Sequence, residues 1–354
     1  MQPVVSLLVP IYNVEKYLRE CLDSAKNQTL SDIEVICIND GSTDGSPDII
    51  REYMQADSRF KIIDKPNSGY GASMNQGLDA ACGKYISILE SDDFFEPDAL
   101  EKLVNAAEAV EAQVAKANFW FYWSTPEEKN ELFELVTAPM TGHVVNPHKE
   151  TEIFYLKPSI WSAVYRKDFL EQNGIRFLET PGASYQDAGF NFKVWASAQR
   201  AVFLSDAVLH YRQDNEASSV NSPSKVYCVC DEYAEMDRYI EGRKDQEFLK
   251  RILEKMKYDS YMWNYERLSE SLRAEFLVRF SEEFKSDLDK GLVDLSIFDS
   301  WKVSDLQMIV SHPAVFRANK EFAGNGGKLA KAIHYLKAGG PSLLSEALAA
   351  RSER

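Results

Sequence analysis

Residues 85–104 read YISILESDDFFEPDALEKLV. A short apolar run from Tyr85 to Leu89 stops at Glu90-Ser91-Asp92-Asp93. Two phenylalanines follow, and Leu100, Leu103, Val104 and Ala107 then recur at helical spacing. A continuously apolar run fits a strand covered on both faces, as in a parallel sheet. Glu96-Pro97-Asp98 ahead of the periodic residues is a helix-start signal. Unpaired buried charge is costly, so the three carboxylates either stand in solvent at the strand's end or hold something positive.

Similar runs precede this one: VVSLLV from Val4, IEVICI from Ile33 and FKII from Phe60. Helical segments fit between them. One carries Tyr17, Leu18, Cys21, Leu22 and Ala25 on a single stripe, and another opens at Ser46-Pro47, read as an N-cap followed by proline in the first turn. Strand alternating with helix predicts an α/β fold, a mostly parallel sheet with right-handed crossovers. Beyond Val114 the pattern loosens. VAKANFWFYW reads as a strand, and a loop-rich stretch runs to about Pro158. IWSAVYRKDFLEQNGIRF reads as an edge strand entering a helix, YQDAGFNFKVWASAQ as a helix, and AVFLSDAVLHYR as returning strands. From Ser224 onward the periodicity is helical, with Leu249, Ile252, Leu253 and Met256 on one stripe and Tyr261, Met262 and Tyr265 after it. The expected organisation is a sheet-based domain over residues 1–223 and an all-helical C-terminal domain over residues 224–354.

A length of 354 residues suits two domains, and 45% hydrophobic residues suffice for a sizeable core. The net charge of −15 argues against a nucleic-acid binder, whose surface must neutralise phosphates with Lys and Arg. It leaves room for one anionic ligand held by a few cations or a metal. The five cysteines read as structural: Cys228 and Cys230 form a C-x-C with no second pair to complete a zinc site. The opening residues MQPVVSLLVPIYN enter a strand pattern without a basic leader. No apolar run approaches the ~18 residues of a membrane span. The expected location is cytoplasmic.

In an open parallel sheet, ligands bind beyond the carboxyl ends of the strands. The residues just past each run are Pro10-Ile11-Tyr12-Asn13, Asn39-Asp40-Gly41-Ser42-Thr43-Asp44, Lys65-Pro66-Asn67-Ser68-Gly69 and Glu90-Ser91-Asp92-Asp93. All four sets belong on one edge, so Asp40 and Asp92 share an acidic mouth. Carboxylate oxygens are hard ligands suited to Mg²⁺ or Mn²⁺, and such an ion would bridge the protein to a diphosphate. Taken singly, NDGSTDGSP is equally a turn and cap, and SDD before a helix a capping turn. The glycines of SGYGASMNQG follow the third run and do not make the dinucleotide fingerprint.

Together, VSLLVPIYNVEKYLRECLDS, VICINDGSTDGS, NSGYGASMNQGLDAACGKYISILESDDFFEPDALEKL and the later YQDAGF resemble the family-2 glycosyltransferases of the GT-A fold. The match is specific over about residues 3–115 and extends to about Ser219, leaving the helical C-terminus outside it. The resemblance implies a nucleotide-diphospho-sugar donor, an expected UDP-sugar, and inversion at the anomeric carbon. It implies that Pro10, Ile11, Tyr12 and Asn13 pack on the nucleotide base and that Asp40 bonds the uracil or ribose. Asn75 is assigned to the donor as well. Glu90-Ser91-Asp92 stands at the family's D-x-D motif, with Asp92 the metal ligand and Glu90, where the family has the shorter Asp, facing the ribose or sugar. Met74 replaces an Arg common in the family, so Lys65 or Arg212 is expected to supply that charge. Asp187 corresponds to the catalytic base, with Gln186 in place of the usual Glu. HYRQDNEASS resembles the segment closing over the diphosphate, which makes Arg212 and Ser218 candidates there. His210 reads either as a second metal ligand or as a packed side chain. Trp161 reads as an acceptor platform or as a core aromatic.

The expected chemistry is removal of an acceptor hydroxyl proton by Asp187 and attack from the face opposite the nucleotide, while the divalent metal and Arg212 absorb charge on the diphosphate. A glycan or lipid-linked acceptor is typical of the family. That would bring the chain to the inner membrane face as a peripheral protein. The helical C-terminus would bind that membrane, bind a second subunit as a homo-oligomer, or buttress the catalytic domain. Two alternatives stay open. A nucleotidyltransferase would carry a glycine- and lysine-rich loop that VPIYNVEKY lacks. A non-catalytic carbohydrate-binding protein on a decayed transferase fold would be favoured by loss of Asp92 or Asp187, and both are present.

Overall fold

The computed structural model describes residues 2–215, 225–325, 332–333 and 336. The chain divides into two compact units, Met1–Ser222 and Pro223–Arg354.

The first unit opens with four parallel strands joined by helices: β1 (Val5–Ile11), α1 (Glu15–Lys26), β2 (Ile33–Asp40), α2 (Ser46–Ala56), β3 (Phe60–Lys65), α3 (Tyr70–Ala80) and β4 (Tyr85–Ile88). It continues with β5 (Phe94–Phe95), α4 (Ala99–Ala109), β6 (Val114–Trp123), β7 (Lys129–Phe133), β8 (Ala163–Arg166), α5 (Lys167–Gln172), α6 (Gln186–Ser197) and β9 (Ala201–Arg212). The sheet order is β3-β2-β1-β4-β8-β6-β9-β5, with β7 hanging from β6. Every residue of β1 and β2 is buried, which accounts for their unbroken apolar runs, while the outer strand β3 exposes Lys61 and Asp64. Glu34 is the exception inside IEVICI. It accepts from Ser6 Oγ, the Cys82 N–H (2.7 Å) and Lys61 Nζ (2.6 Å), tying three strands together. Burial pushes this carboxyl up, but those donors outweigh it and hold it below the usual range.

Three local expectations change. The strand in IWSAVYR is not at an edge: β8 runs antiparallel between β4 and β6, because β4 leaves its far side unpaired and the apolar Ala163-Val164-Tyr165 can be covered on both faces. AVFLSDAVLHYR is one strand, parallel to β6, with irregular register near Asn118. Ser46 does not cap α2. Its hydroxyl accepts from the Val14 N–H (3.2 Å), and Asp44 accepts the Ser46 N–H instead (3.0 Å).

The second unit contains α7 (Cys228–Ile240), α8 (Gln246–Arg267), α9 (Glu270–Asp289), α10 (Ser300–Ser311) and α11 (Pro313–Asn325). Its core is aromatic, with Tyr258, Tyr261, Phe276, Phe280 and Phe284 packed in tilted and edge-on pairs. α8 buries more than its sequence stripe, adding Glu254, Lys257 and Tyr258, whereas Met256 is only half-buried. Among the described residues, no helix is long and apolar enough to cross a membrane. All five cysteines are free thiols.

Candidate active site

The carboxyl ends of β1 to β4 share one edge because all four strands are parallel. At the end of β1, Pro10 and Ile11 are buried strand residues, while Tyr12 is 54% exposed. Asn13 turns the chain in the left-handed region (φ 50°). Its Oδ1 accepts the Thr43 N–H (2.8 Å), and its own N–H donates to Ser42 Oγ (3.0 Å). The NDGSTDGS loop is thereby latched onto the β1–α1 turn, leaving the Tyr12 ring open as a face.

Asp40 looks inward. One oxygen accepts from the Ser68 N–H (2.8 Å) and from Lys65 Nζ, the other from the Gly69 N–H (3.0 Å). Lys65 is spent on Asp40 and Ser68. Both residues therefore shape the loop before α3. Asn75 is likewise occupied: its amide donates to Phe177 O (3.0 Å) and Glu179 Oε1 (2.8 Å) and accepts the Phe177 N–H (2.9 Å). Met74 lies wholly in the core.

The loop after β4 concentrates the charge. Glu90 accepts from the Tyr70 hydroxyl (2.7 Å). Burial, with added repulsion from Asp92 and Asp187, pushes it up to about 8 despite that bond. Asp92 accepts from the Asn215 amide (2.8 Å). Ser91 is buried beside it. Asp93 accepts the Arg212 N–H on Oδ1 (2.8 Å), whereas its Oδ2 is buried without a hydrogen-bond partner among the described residues. Burial and Asp92 push the Asp93 carboxyl well above the usual range.

Arg212, at the end of β9, pins this turn. Its Nε donates to Asp92 O (2.8 Å) and its guanidinium pairs with Glu20 of α1. The group lies between the rings of Tyr17 (4.6 Å) and Tyr122 (4.8 Å). His210 faces elsewhere: Nε2 meets Glu96 (2.9 Å), Nδ1 meets Asn130 (2.7 Å), and the ring stacks on Phe94. Ser218 lies outside the described residues.

Asp187 enters from the other side of the chain, in the first turn of α6. Tyr185 before it takes a left-handed conformation (φ 62°). Burial raises the Asp187 carboxyl, partly offset by the Ala188 N–H and by Lys157. Gln186 holds the turn that aims it, donating to Thr180 Oγ1 (2.9 Å) and accepting the Ser184 N–H. Trp161 is 7% exposed and packs between Tyr211 (5.0 Å, stacked) and Phe119 (4.5 Å, edge-on), so it backs the site from within an aromatic cluster.

Tyr211 marks where the pieces meet. Burial raises its phenol first, and then Asp93, Asp92, Asp187 and Glu90 all act on it. Carboxylates from residues far apart in sequence thus lie near enough for their charge to act on one phenol. Tyr211, Tyr70, Lys157, Glu20 and Asn215 were not singled out from sequence. The only signal for Tyr211 was its place beside Arg212 in the HYR segment. Among the described residues, no group of three or more His, Cys, Asp or Glu side chains is already gathered as a metal site.

Comparison with known proteins agrees with this architecture. Residues 6–174 match glycosyl transferase family 2. The chain is 35% identical over 213 residues to EpsH of Bacillus subtilis (strain 168), covering 59% of this chain and 61% of that one. It is 44% identical over 99 residues to the chondroitin synthase of Pasteurella multocida (strain Pm70), covering 28% of this chain and 10% of that one. The chain spans about three-fifths of the length of the first curated relatives it matches, 61% and 62%. The crystal structure of S. aureus TarS 1–349 in complex with UDP-GlcNAc superposes with a TM-score of 0.72 at 19% identity, covering 91% of this chain and 92% of that one. Over residues 6–174 the chain thus matches glycosyl transferase family 2, and its fold is the GT-A fold.

Proposed function

We propose that this chain is an inverting glycosyltransferase that moves a sugar from a UDP-sugar to a hydroxyl of a glycan or lipid-linked acceptor, in the synthesis of a bacterial surface polysaccharide. The observation that carries the reading is the acidic turn Glu90-Ser91-Asp92-Asp93 at the carboxyl edge of the parallel strands, with Asp187 of α6 near enough for its charge to act on Glu90 and Tyr211. The relative named chondroitin synthase and the UDP-GlcNAc complex of TarS support the polysaccharide and the donor class.

The division of labour follows the two units, with the chemistry within residues 1–223 and the helical residues 224–354 appended to it. Tyr12 offers its exposed ring to the base. The orphaned Asp93 Oδ2 and the upward pressure on Glu90 are the marks of uncompensated negative charge, and the donor set is all hard oxygen, so the residues fit a divalent ion. Asp92 would hold Mn²⁺ or Mg²⁺, as one carboxylate commonly does when substrate phosphates complete the shell. Such an ion supplies charge neutralisation to a departing diphosphate. Arg212, fixed by Glu20 and the Asp92 carbonyl, adds positive field from behind the same turn.

Asp187 is the base. Its raised proton affinity suits proton abstraction at neutral pH better than an ordinary Asp would. It takes the acceptor hydroxyl proton as that oxygen attacks the anomeric carbon opposite the leaving group. A single carboxylate in that position makes direct displacement, and hence inversion, the fitting outcome. A lipid-linked acceptor would draw the chain to a membrane surface.

The test pairs stereochemistry with one substitution. Asp187→Asn is close to isosteric and should lower turnover by ~10²–10⁴-fold while donor binding by calorimetry changes little. NMR of the wild-type product should show the anomeric configuration opposite to the donor's. Retention of configuration, or full turnover by the Asn variant, would remove Asp187 from the reaction.

A further inference from the structure

The helical unit holds a pocket of about 370 Å³ between α7, α8 and α9, at the low end of the ~300–1,000 Å³ typical of small-molecule sites. Its lining is built from charge. On α8, Lys250 Nζ donates to both oxygens of Asp237 on α7 (2.6 and 2.7 Å) and lies 2.9 Å from Glu254 Oε1. Two turns on, Lys257 Nζ donates to Asp287 of α9 (2.8 Å) and lies 3.1 Å from Glu283. Glu283 also accepts from the Tyr261 hydroxyl (2.7 Å) and from Arg279 Nε (2.7 Å).

Two features ask for a ligand. The protons of the lysines already point at carboxylates, while each carboxylate has about four lone-pair sites to fill. Five carboxylates line the pocket against three cations, so acceptors remain in surplus. The clearest case is Glu254, whose side chain is 0% exposed. Its Oε2 accepts no hydrogen bond among the described residues, and Lys257 Nζ stands 4.0 Å from it. Burial accordingly raises this carboxyl against the pull of both lysines. A buried acceptor without a donor keeps its full desolvation penalty. A structural ion-pair ladder gains nothing from leaving one.

We propose that this pocket is a second saccharide-binding site, which takes one or two sugar units through hydroxyls donated to Glu254 and its neighbouring carboxylates. The acceptor surplus calls for a donor-rich ligand. The excess negative charge excludes an anionic one, a sugar nucleotide included. An ammonium group aimed at Glu254 would meet Lys250 and Lys257 on either side, whereas neutral hydroxyls meet no such repulsion. Tyr233 and Tyr261, edge-on at 6.0 Å, add the aromatic wall that sugar C–H faces favour. That the polyol is a saccharide rests on the transferase reading; the pocket and its surplus of acceptors do not.

The experiment uses the full chain saturated with UDP, so that the sheet edge is filled. Saturation-transfer NMR is run with glucose, galactose, N-acetylglucosamine, cellobiose and chitobiose at millimolar concentration, with putrescine as the amine probe. Ala234→Trp on α7 and Ser286→Trp on α9 fill the pocket from opposite rims without removing any ion pair, and melting curves check that both variants fold. At least one sugar should bind the UDP-saturated wild type and the Asp187→Asn variant alike, and should weaken by about tenfold or more in both Trp variants. Glu254→Gln should weaken it as well. Absence of signal from every sugar, sugar binding indifferent to both Trp variants, or signal from putrescine alone would overturn the proposal. Turnover of a nucleotide-sugar without Trp-sensitive binding would sink the pocket alone. Trp-sensitive binding without turnover would sink the transferase reading alone.

Discussion

Gly71→Ala tests how Asp187, the proposed base, is placed. A Cβ on Gly71 would lie 2.0 Å from Leu178 O, 2.9 Å from Leu178 C and 3.3 Å from Glu179 Cα. These are backbone atoms, so no rotamer change relieves the contact. The strap of residues 177–182 must retreat from α3 by roughly 1 Å or more to reach a normal separation. That strap is held by the Asn75 bonds to Phe177 and by the Tyr70 N–H to Gly182 O (3.0 Å). Overpacking costs about 1–3 kcal/mol, each hydrogen bond lost about 1, and the better helix propensity of Ala returns about 1. With two of these bonds lost, a net loss of about 2–4 kcal/mol is expected. Asp187 follows the strap by five residues (Gly182 to Asp187), and a displacement of about 1 Å in a reacting group can cost ~10²-fold in rate. Gly77→Ala is the control on the same helix. Its Cβ would meet only the ends of flexible side chains, Ile38 Cδ1 at 3.1 Å and Leu8 Cδ1 at 3.3 Å. Its net effect should stay within about 1 kcal/mol. Urea denaturation measures the first quantity, and transfer assays with calorimetric donor binding measure the second. Equal stability and equal turnover for the two variants would refute the idea that α3 sets the path of the strap and the position of Asp187.

Two other perturbations separate binding from folding. Asp92→Asn should weaken donor binding in Mn²⁺ while the melting curve stays close to wild type, and EDTA should abolish wild-type transfer; full activity in EDTA would remove the metal from the reaction. Lys116, buried in β6 with its amine donating to Ser159 O (2.5 Å), is pushed by burial from 10.5 down to about 7. Between those values the unfolded chain binds a proton that the folded chain does not, so stability should rise as pH increases from about 7 toward 10. Lys116→Met should flatten that rise in urea titrations taken across the range. An unchanged slope would show that Lys116 is hydrated in the folded state.

The fold and the first half of the site were legible because they are local. A parallel strand covered on both faces needs a continuous apolar run, its helix needs an apolar stripe, and ligands meet the loops at the carboxyl ends. YISILESDD therefore reads as strand, turn and acidic edge without knowledge of any contact. The motif segments carried the family as well. What each polar side chain does was not legible, because an Asp or Lys looks the same in sequence whether it faces solvent or a neighbour. Asp40 and Lys65 stand at the expected edge and Asn75 within α3, yet their donors and acceptors are consumed by the loops of residues 65–69 and 177–179. His210 is held by Glu96 and Asn130, side chains brought to it by the pairing of β5 and β7 in the sheet. The central position of β8 followed from partners on both sides, β4 and β6, that no local pattern names. The influence of Glu90, Asp92, Asp93 and Asp187 on Tyr211, and the unsatisfied Glu254 inside an amphipathic helix, depend on distances between segments far apart in the chain. Periodicity encodes which face of an element is buried. Only the packed structure decides what each buried polar atom finds there.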